Sequence, residues 1–453
     1  MKLESIVNAG FMITFSNGRR MLTDPWFAGP AGQWFNFPPV PEKEQQRLFA
    51  SAPDYIYISH LHGDHLHAPT LGRFSRRTPI IIGSMNTPQL KTRIRDMGFL
   101  DVREFAFLQV HEMDGFRMAI FPDFHGSSEG HNRQISYDLD TSMYLWDCGD
   151  GSTLFNAADN TITPEDGAVI AERYGKPTVA VLSCAGASLY PMAMISYAPE
   201  RKIEERDRQK RRIITKFADL ALRLGAQRVV PSGGAYVLGG ESAHLTRYLP
   251  HPSSAELAIA AIEAGLPRER LCKLYQGDWL DLATLEVGAN PAAAFRNFTE
   301  QERALYAELL VDHRMAASKP SKRFDWRQSI ERSAAAFHRI RRGYGCDIAA
   351  DVIIQAVPDE VVAVPESSTV SWAVPGSLYV RLRLDENAFL FQETPIAPER
   401  AFTRFVLNHS LLRMIMTREH NWSGAECACL IGVERAPDVY NPHLHRLMMG
   451  FVI

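Results

Sequence analysis

Four histidines and one aspartate crowd into eight residues, His60-x-His62-x-Asp64-His65-x-His67, directly after the apolar run "YIYIS". The chain holds only 15 histidines in 453 residues. Such a cluster cannot continue a packed strand, because buried polar groups need partners. The strand must instead end where these side chains converge on something other than core. In extended backbone, residues two apart point the same way, so His60 and His62 can grip one ion from one side. Asp64 and His65 lie a turn further on and can serve a second ion. Imidazole suits zinc and iron, and a carboxylate suits a harder or higher-valent ion. Two metals about 3.5–4 Å apart can share one bridging ligand.

A two-metal site needs further ligands from other strand ends. His125, in "FPDFHGSS", fits a third histidine on the first metal, and Asp159, in "LFNAADN", fits a carboxylate bridging both ions. Each follows an apolar strand and precedes a loop. His67 lies one turn past His65, where ligation and a supporting or surface role are both open.

The rest of the chain reads as a layered α/β protein. "DYIYIS", "TPIIIGS", "FRMAIFPDF", "SMYLWDCGDGSTLFN", "TVAVLSCAG" and "RVVPSGG" read as strands, several with polar residues at their C-terminal ends and helices between them, a pattern of α/β layers. "SIVNAGFMITFSNGRRMLTDPWF" suggests two strands around Ser16-Asn17-Gly18. Residues 199–226 form a long charged helix closed by Gly225. At 453 residues the chain exceeds what one core usually serves, and two domains are expected, 1–285 and 290–453. The second reads as a helical pair followed by a sheet, an α+β accessory domain that includes "STVSWAV" and "AECACLIGVE". Cys427 and Cys429, two apart, would share one face of a strand.

Net charge −3 and pI 6.6 argue against a dedicated nucleic-acid surface. No run of about 18 apolar residues suggests a membrane span. The N-terminus lacks a signal peptide's apolar h-region, and a cytoplasmic protein is expected. None of the six cysteines forms a CxxC pair, so free thiols are expected.

His60-x-His62-x-Asp64-His65 is similar to the signature of the metallo-β-lactamase superfamily, and "LTDPWF" before it, with His125 and Asp159 after it, matches the supporting pattern. The resemblance implies an αββα sandwich over roughly residues 1–285, with one or two metals at the strand ends. "CAGASLYPM", "VVPSGGAYVLGGESAHLTRYL" and "HNWSGAECACLIGVERAPDVYNPHLHRLMMGF" resemble segments of the CMP-N-acetylneuraminate hydroxylase family. That family also carries a Rieske iron–sulfur domain, which needs two Cys and two His. This chain has no paired Cys-x-His and Cys-x-x-His elements. Many members of the superfamily supply a last histidine to the second metal from a late strand end; His244 is the nearest candidate here, with a structural or substrate-contacting role as the alternative. Tyr190 and Tyr236 fall in the shared segments and are candidates to line a substrate pocket. Trp26 precedes an aromatic, proline-rich loop, residues 27–42, that can cap a site.

Three functions follow. The first is an iron-dependent, dioxygen-activating monooxygenase acting on a polar small molecule, with two irons held by His60, His62, Asp64, His65, His125 and Asp159, and electrons from a separate Rieske or ferredoxin-type donor. The second is a zinc or manganese hydrolase of an ester, lactone, amide or phosphodiester, in which Asp64 or Asp159 orients the nucleophile. The third is a non-catalytic, metal-bound binding protein. The oxygenase reading ranks first because the hydroxylase resemblance reaches both halves of the chain.

Overall fold

The computed structural model describes residues 1–85, 87–122, 140–160, 162–185, 188–290, 299–313, 324–366, 369–441 and 443–453. The chain splits into two compact units. The first comprises Met1–Gly186, Arg208–Val237 and Pro250–Arg303; the second comprises Ala187–Asp207, Leu238–Leu249 and Ala304–Ile453.

Two sheets build the first unit. An eight-stranded sheet runs Val287–Gly288, Trp279–Asp281, Lys2–Val7, Gly10–Thr14, Arg20–Thr23, Tyr55–Tyr57, Ile80–Gly83, Val102–Phe105. A six-stranded sheet runs Arg228–Ser232, Val179–Ser183, Thr153–Asn156, Ser142–Asp147, Phe116–Phe121, Val110–Glu112. The period of two along each strand decides the layering. Ile81 joins Tyr57, Met118, Ile120, Met143, Val179 and Val181 in one core between the sheets. Its neighbours Ile80 and Ile82 face the other way, onto Leu71, Leu90 and Ile94 of the helices outside the first sheet. Ala119, Phe121, Ala180 and Leu182 likewise face Ile170, Ile214, Phe217, Ala218 and Ala221 outside the second sheet. The spacing 214, 217, 218, 221, 224 is one helical face, and that helix, Pro199–Leu224, stops where Gly225 turns to φ +67°. The result is an αββα sandwich, the architecture that the sequence resemblance implies. Each fully buried side chain of Ile81's kind contributes about 1.5–3 kcal/mol to it.

The N-terminal segment makes three strands rather than two: Asn8 takes φ +52° and closes a tight turn between Lys2–Val7 and Gly10–Thr14. A short polar residue tolerates that region, which is why the extra turn is invisible to a search for glycine pairs.

The second unit carries a five-stranded sheet, Phe389–Gln392, Leu378–Arg383, Asp351–Val357, Phe402–Asn408, Gly432–Ala436. Asp351–Val357 is buried throughout and pairs parallel to Phe402–Asn408. Met194 forms a parallel bridge with Val433, and Gly240 donates its N–H to the Leu310 carbonyl at 2.8 Å, so two stretches from the middle of the sequence belong to this unit. The helix Trp326–Gly343 starts at Asp325, whose side chain accepts from the Gln328 N–H. None of the described residues 369–374 of "STVSWAV" lies in a strand, and Trp372 and Ala373 form a turn. In "AECACLIGVE" the strand begins only at Gly432. Asn421 caps a helix over Trp422–Cys427, and Cys429 sits at φ +55°, so the two cysteines do not share a strand face. A polar cap overrode the local β propensity. Among the described residues no helix is long and apolar enough to cross a membrane.

Candidate metal centre

The strand Tyr55–Tyr57 lies parallel between Arg20–Thr23 and Ile80–Gly83. The chain leaves the sheet through Ile58 and Ser59 and delivers His60, fully buried, at the sheet's edge. The His62 carbonyl then accepts from the His65 and Leu66 N–H groups at 3.0 and 2.8 Å. That tight turn swings Asp64 and His65 back beside His60. Among the described residues two groups of metal-capable atoms result, each within 4.8 Å: His60, His62 and Asp140, and His60, His65 and Asp159. The six-stranded sheet supplies both outer carboxylates. Thr141 is buried, and its Oγ1 donates to the Ser59 carbonyl at 2.8 Å, which holds Asp140 against His60. Asn160 donates to the Pro122 carbonyl at 2.9 Å and fixes the loop that carries Asp159.

Asp24 organises the imidazoles from behind. Its carboxylate is buried and accepts from the Ser59 N–H at 2.7 Å and the Ser59 hydroxyl at 2.8 Å. It also lies 3.0 Å from His65 Nδ1. With the Ser59 proton given to Asp24, the Ser59 oxygen accepts from His60 Nδ1 at 2.9 Å. In the neutral form of each ring the network therefore assigns the proton to Nδ1 and leaves the Nε2 lone pair facing outward. His65 Nε2 faces Asp159 at 3.4 Å and Asp64 at 3.5 Å, and His60 Nε2 faces Asp140 at 3.4 Å. This is the arrangement that supporting carboxylates and hydroxyls give to metal-binding histidines.

Burial, then the neighbouring His65 and His62, push the His60 pKa well below its ordinary value, so the ring is neutral and able to ligate. Burial also disfavours charge on His65, but Asp64, Asp159 and Asp24 outweigh it and raise its pKa. Burial raises Asp64, with Asp159 adding to the effect. Burial opposes charge on Asp159 too, yet His65 and His62 hold its pKa low. The donor set fits divalent or higher metal ions. Two ring nitrogens, His60 Nε2 and His62 Nδ1, face each other across 2.8 Å. Asp64 Oδ1 is buried without a hydrogen-bond partner among the described residues. A buried carboxylate oxygen without a donor is costly, and a cation would remove that cost.

Not every residue singled out in the sequence joins this cluster. His125 lies outside the described residues. His67 is buried and structural: its Nε2 donates to the Pro30 carbonyl at 3.0 Å, and its Nδ1 caps Ala68–Leu71 by accepting from the Thr70 N–H. His244 belongs to the second unit, where its Nε2 donates to the Val364 carbonyl at 3.0 Å, and it stands in neither ligand group. Trp26, at 1% exposure, packs with Trp34 and Tyr236 and donates to the Gly29 carbonyl. Tyr236 is also buried, stacked on Trp34 and edge-on to His251. Both rings thus fill an aromatic cluster, with little surface for a substrate. Tyr190, in the second unit, bonds through its hydroxyl to Glu205. Three contributors escaped the sequence reading: Asp140, Asp24 and Ser59. Asp24 had a legible signal, an acid in "LTDPWF" directly after a strand. Asp140 had none, since it precedes its strand.

Residues 19–231 match the family model of the β-lactamase superfamily domain. Over that region the chain is similar to the β-lactamase superfamily. Curated relatives that the chain matches include a putative Rieske 2Fe-2S iron-sulfur protein of Mycolicibacterium smegmatis, 29% identical over 52% of this chain and 43% of that protein. The cytidine monophosphate-N-acetylneuraminic acid hydroxylase of Danio rerio is 42% identical over 76 residues, 16% of this chain and 12% of that protein. The chain thus spans less than half the length of these relatives. Among solved structures, an isothiocyanate hydrolase from Delia radicum gut bacteria aligns with TM-score 0.43 and 17% identity, over 62% of this chain and 99% of that one.

Proposed function

We propose that the first unit is a metal-dependent monooxygenase that hydroxylates a polar small molecule. In this reading His60, His62, His65, Asp64, Asp140 and Asp159 hold two metal ions, iron ahead of zinc or manganese, with His125 as a further ligand. The observation that carries the metal assignment is the pair of His/Asp groups sharing His60. The oxygenase assignment is supported by the relatives, one named for hydroxylation and the other for an iron–sulfur centre. Bound iron would supply the redox capacity to activate dioxygen. The overall reaction places one oxygen atom in a substrate C–H bond and releases the other as water. It consumes two electrons and two protons, with the electrons coming from a separate Rieske or ferredoxin-type protein. The chain's own contribution is positional. Asp24 and Ser59 hold His60 and His65 with their Nε2 atoms outward, and Asp64, its carboxyl raised by burial, can hold a proton at Oδ1.

The hydrolase reading stays second. Asp64 Oδ1, without a hydrogen-bond partner among the described residues, is also placed to accept a proton from an attacking water. Metal analysis and Mössbauer spectroscopy on anaerobically purified protein separate the two. About two coupled, reducible irons per chain, with oxygen uptake that depends on a reductant, support the oxygenase. Zinc or manganese alone, with ester, lactone or phosphodiester turnover and no reductant, refutes it.

A further inference from the structure

Apolar side chains build the core between the two sheets of the first unit, yet two hydroxyls meet there. Tyr57 comes from the eight-stranded sheet and is fully buried, in one cluster with Ile81, Phe105 and Met143. Thr141 stands directly before the strand Ser142–Asp147 of the six-stranded sheet and is also fully buried. Their oxygens lie 2.7 Å apart. Phenylalanine and valine would fill nearly the same space without placing polar atoms in the core, which need partners there. The pair therefore calls for a reason other than packing.

The direction of each bond follows from the partners. Thr141 has one hydroxyl proton and gives it to the Ser59 carbonyl at 2.8 Å, an oxygen that can only accept. The Tyr57 hydroxyl must then donate to Thr141 Oγ1. Thr141 is thus gripped twice by the opposite sheet's chain, once at Tyr57 and once at Ser59. Ser59 precedes His60, and Thr141 follows Asp140. This strut between the sheets stands one residue from two metal-capable side chains that come from opposite sheets and lie 3.4 Å apart. The rest of the centre is held by other bonds. The His60 ring is braced through Ser59 Oγ, not through the Ser59 carbonyl. Asn160, beside Asp159, donates to the Pro122 carbonyl at 2.9 Å and to Ser142 Oγ at 3.2 Å, and Ser142 pairs with Phe121 inside the six-stranded sheet. Loss of the Tyr57 bond therefore loosens Asp140 against His60 and leaves His60, His65 and Asp159 in place.

We propose that Tyr57 is a positioning residue for one half of the metal centre: by holding Thr141 it fixes Asp140 against His60, and so sets the affinity for the ion held by His60, His62 and Asp140. A buried polar group with its hydrogen bonds made confines a core to one arrangement. Groups that orient metal ligands carry much of a site's affinity although they touch no metal. The inference rests on the ligand assignment proposed above, and not on which reaction the metals serve.

Zinc titration of the metal-free full chain against a chromophoric chelator tests it. The parent protein binds two ions, and Asp140→Asn identifies which binding phase belongs to Asp140. Tyr57→Phe keeps the ring and loses one hydrogen bond; it weakens that phase roughly threefold or more and leaves the other unchanged. Thr141→Val loses both bonds and weakens the same phase about tenfold or more. Thr141→Ser keeps both bonds and the parental affinity. Parental affinity in both phases of Tyr57→Phe overturns the proposal. Equal weakening of both phases also overturns it, because a general loss of packing acts that way. So does weakening of the other phase alone. If Thr141→Val fails to fold, the contrast between Tyr57→Phe and Thr141→Ser decides. A parent protein that does not bind two ions overturns the ligand assignment and this inference with it; two bound ions and an indifferent Tyr57→Phe overturn the inference alone.

Discussion

The brace behind the histidines makes a sharp prediction through Asp24→Asn. The substitution keeps the shape of a buried side chain and tolerates the backbone, since Asp24 sits at φ +37° and asparagine visits that region readily. It alters only the donor–acceptor pattern. The carboxylate now accepts from the Ser59 N–H and hydroxyl and lies 3.0 Å from His65 Nδ1. In the variant the amide oxygen can keep the Ser59 N–H, but the amide NH2 then points at Ser59 Oγ and His65 Nδ1. A donor facing Nδ1–H is repulsive, so the ring proton moves to Nε2. That nitrogen faces Asp159 at 3.4 Å and Asp64 at 3.5 Å, and protonating it removes the lone pair a metal needs. Loss of such a support typically lowers metal affinity about 10- to 100-fold, roughly 1.4–2.7 kcal/mol. Competition with a chromophoric chelator measures the affinity, and circular dichroism confirms that the fold survives. Parental affinity in a folded Asp24→Asn protein would refute the tautomer argument.

Four further outcomes are expected. His62→Ala strips most of the metal while the thermal midpoint of the metal-free protein stays within a few degrees, because His62 lies on the loop and not in the core; full metal occupancy would show that the ligand set is wrong. His67→Ala behaves in the opposite way: it loses a helix cap worth about 1 kcal/mol and the bond to Pro30, but elemental analysis finds unchanged metal. Ile81→Ala, between the sheets at full burial, destabilises by about 2–5 kcal/mol in urea unfolding, and a loss under 1 kcal/mol would contradict the sandwich core. Gly432→Ala drives a Cβ to 2.6 Å from the Ala363 carbonyl oxygen and 2.7 Å from Ile195. It should cost about 1–3 kcal/mol in the second unit, read as an earlier unfolding transition.

The histidine loop and the layered class were legible because each depends on short-range pattern. Two-residue periodicity in "TPIIIG" and "FRMAIF" sorts alternate side chains to opposite faces whatever the partner. An apolar strand running into His60, His62, Asp64 and His65 states a convergence point at its own end. Asp159 was legible for the same reason, as the polar end of another strand. Asp140 was not, since it stands before its strand and reaches His60 only because Thr141 ties the second sheet to the Ser59 carbonyl. His67 and His244 carry the same side chain as the clustered histidines, and nothing local separates them. Only the tertiary structure turns one onto Pro30 and Thr70 and the other onto Val364. A cavity in the first unit joins residues from seven separated stretches of chain, from Ser5 to Arg303. Local sequence thus determines which side chains leave a strand together. The packing of two sheets decides which distant ones they meet, because that depends on register and strand order rather than on any short motif.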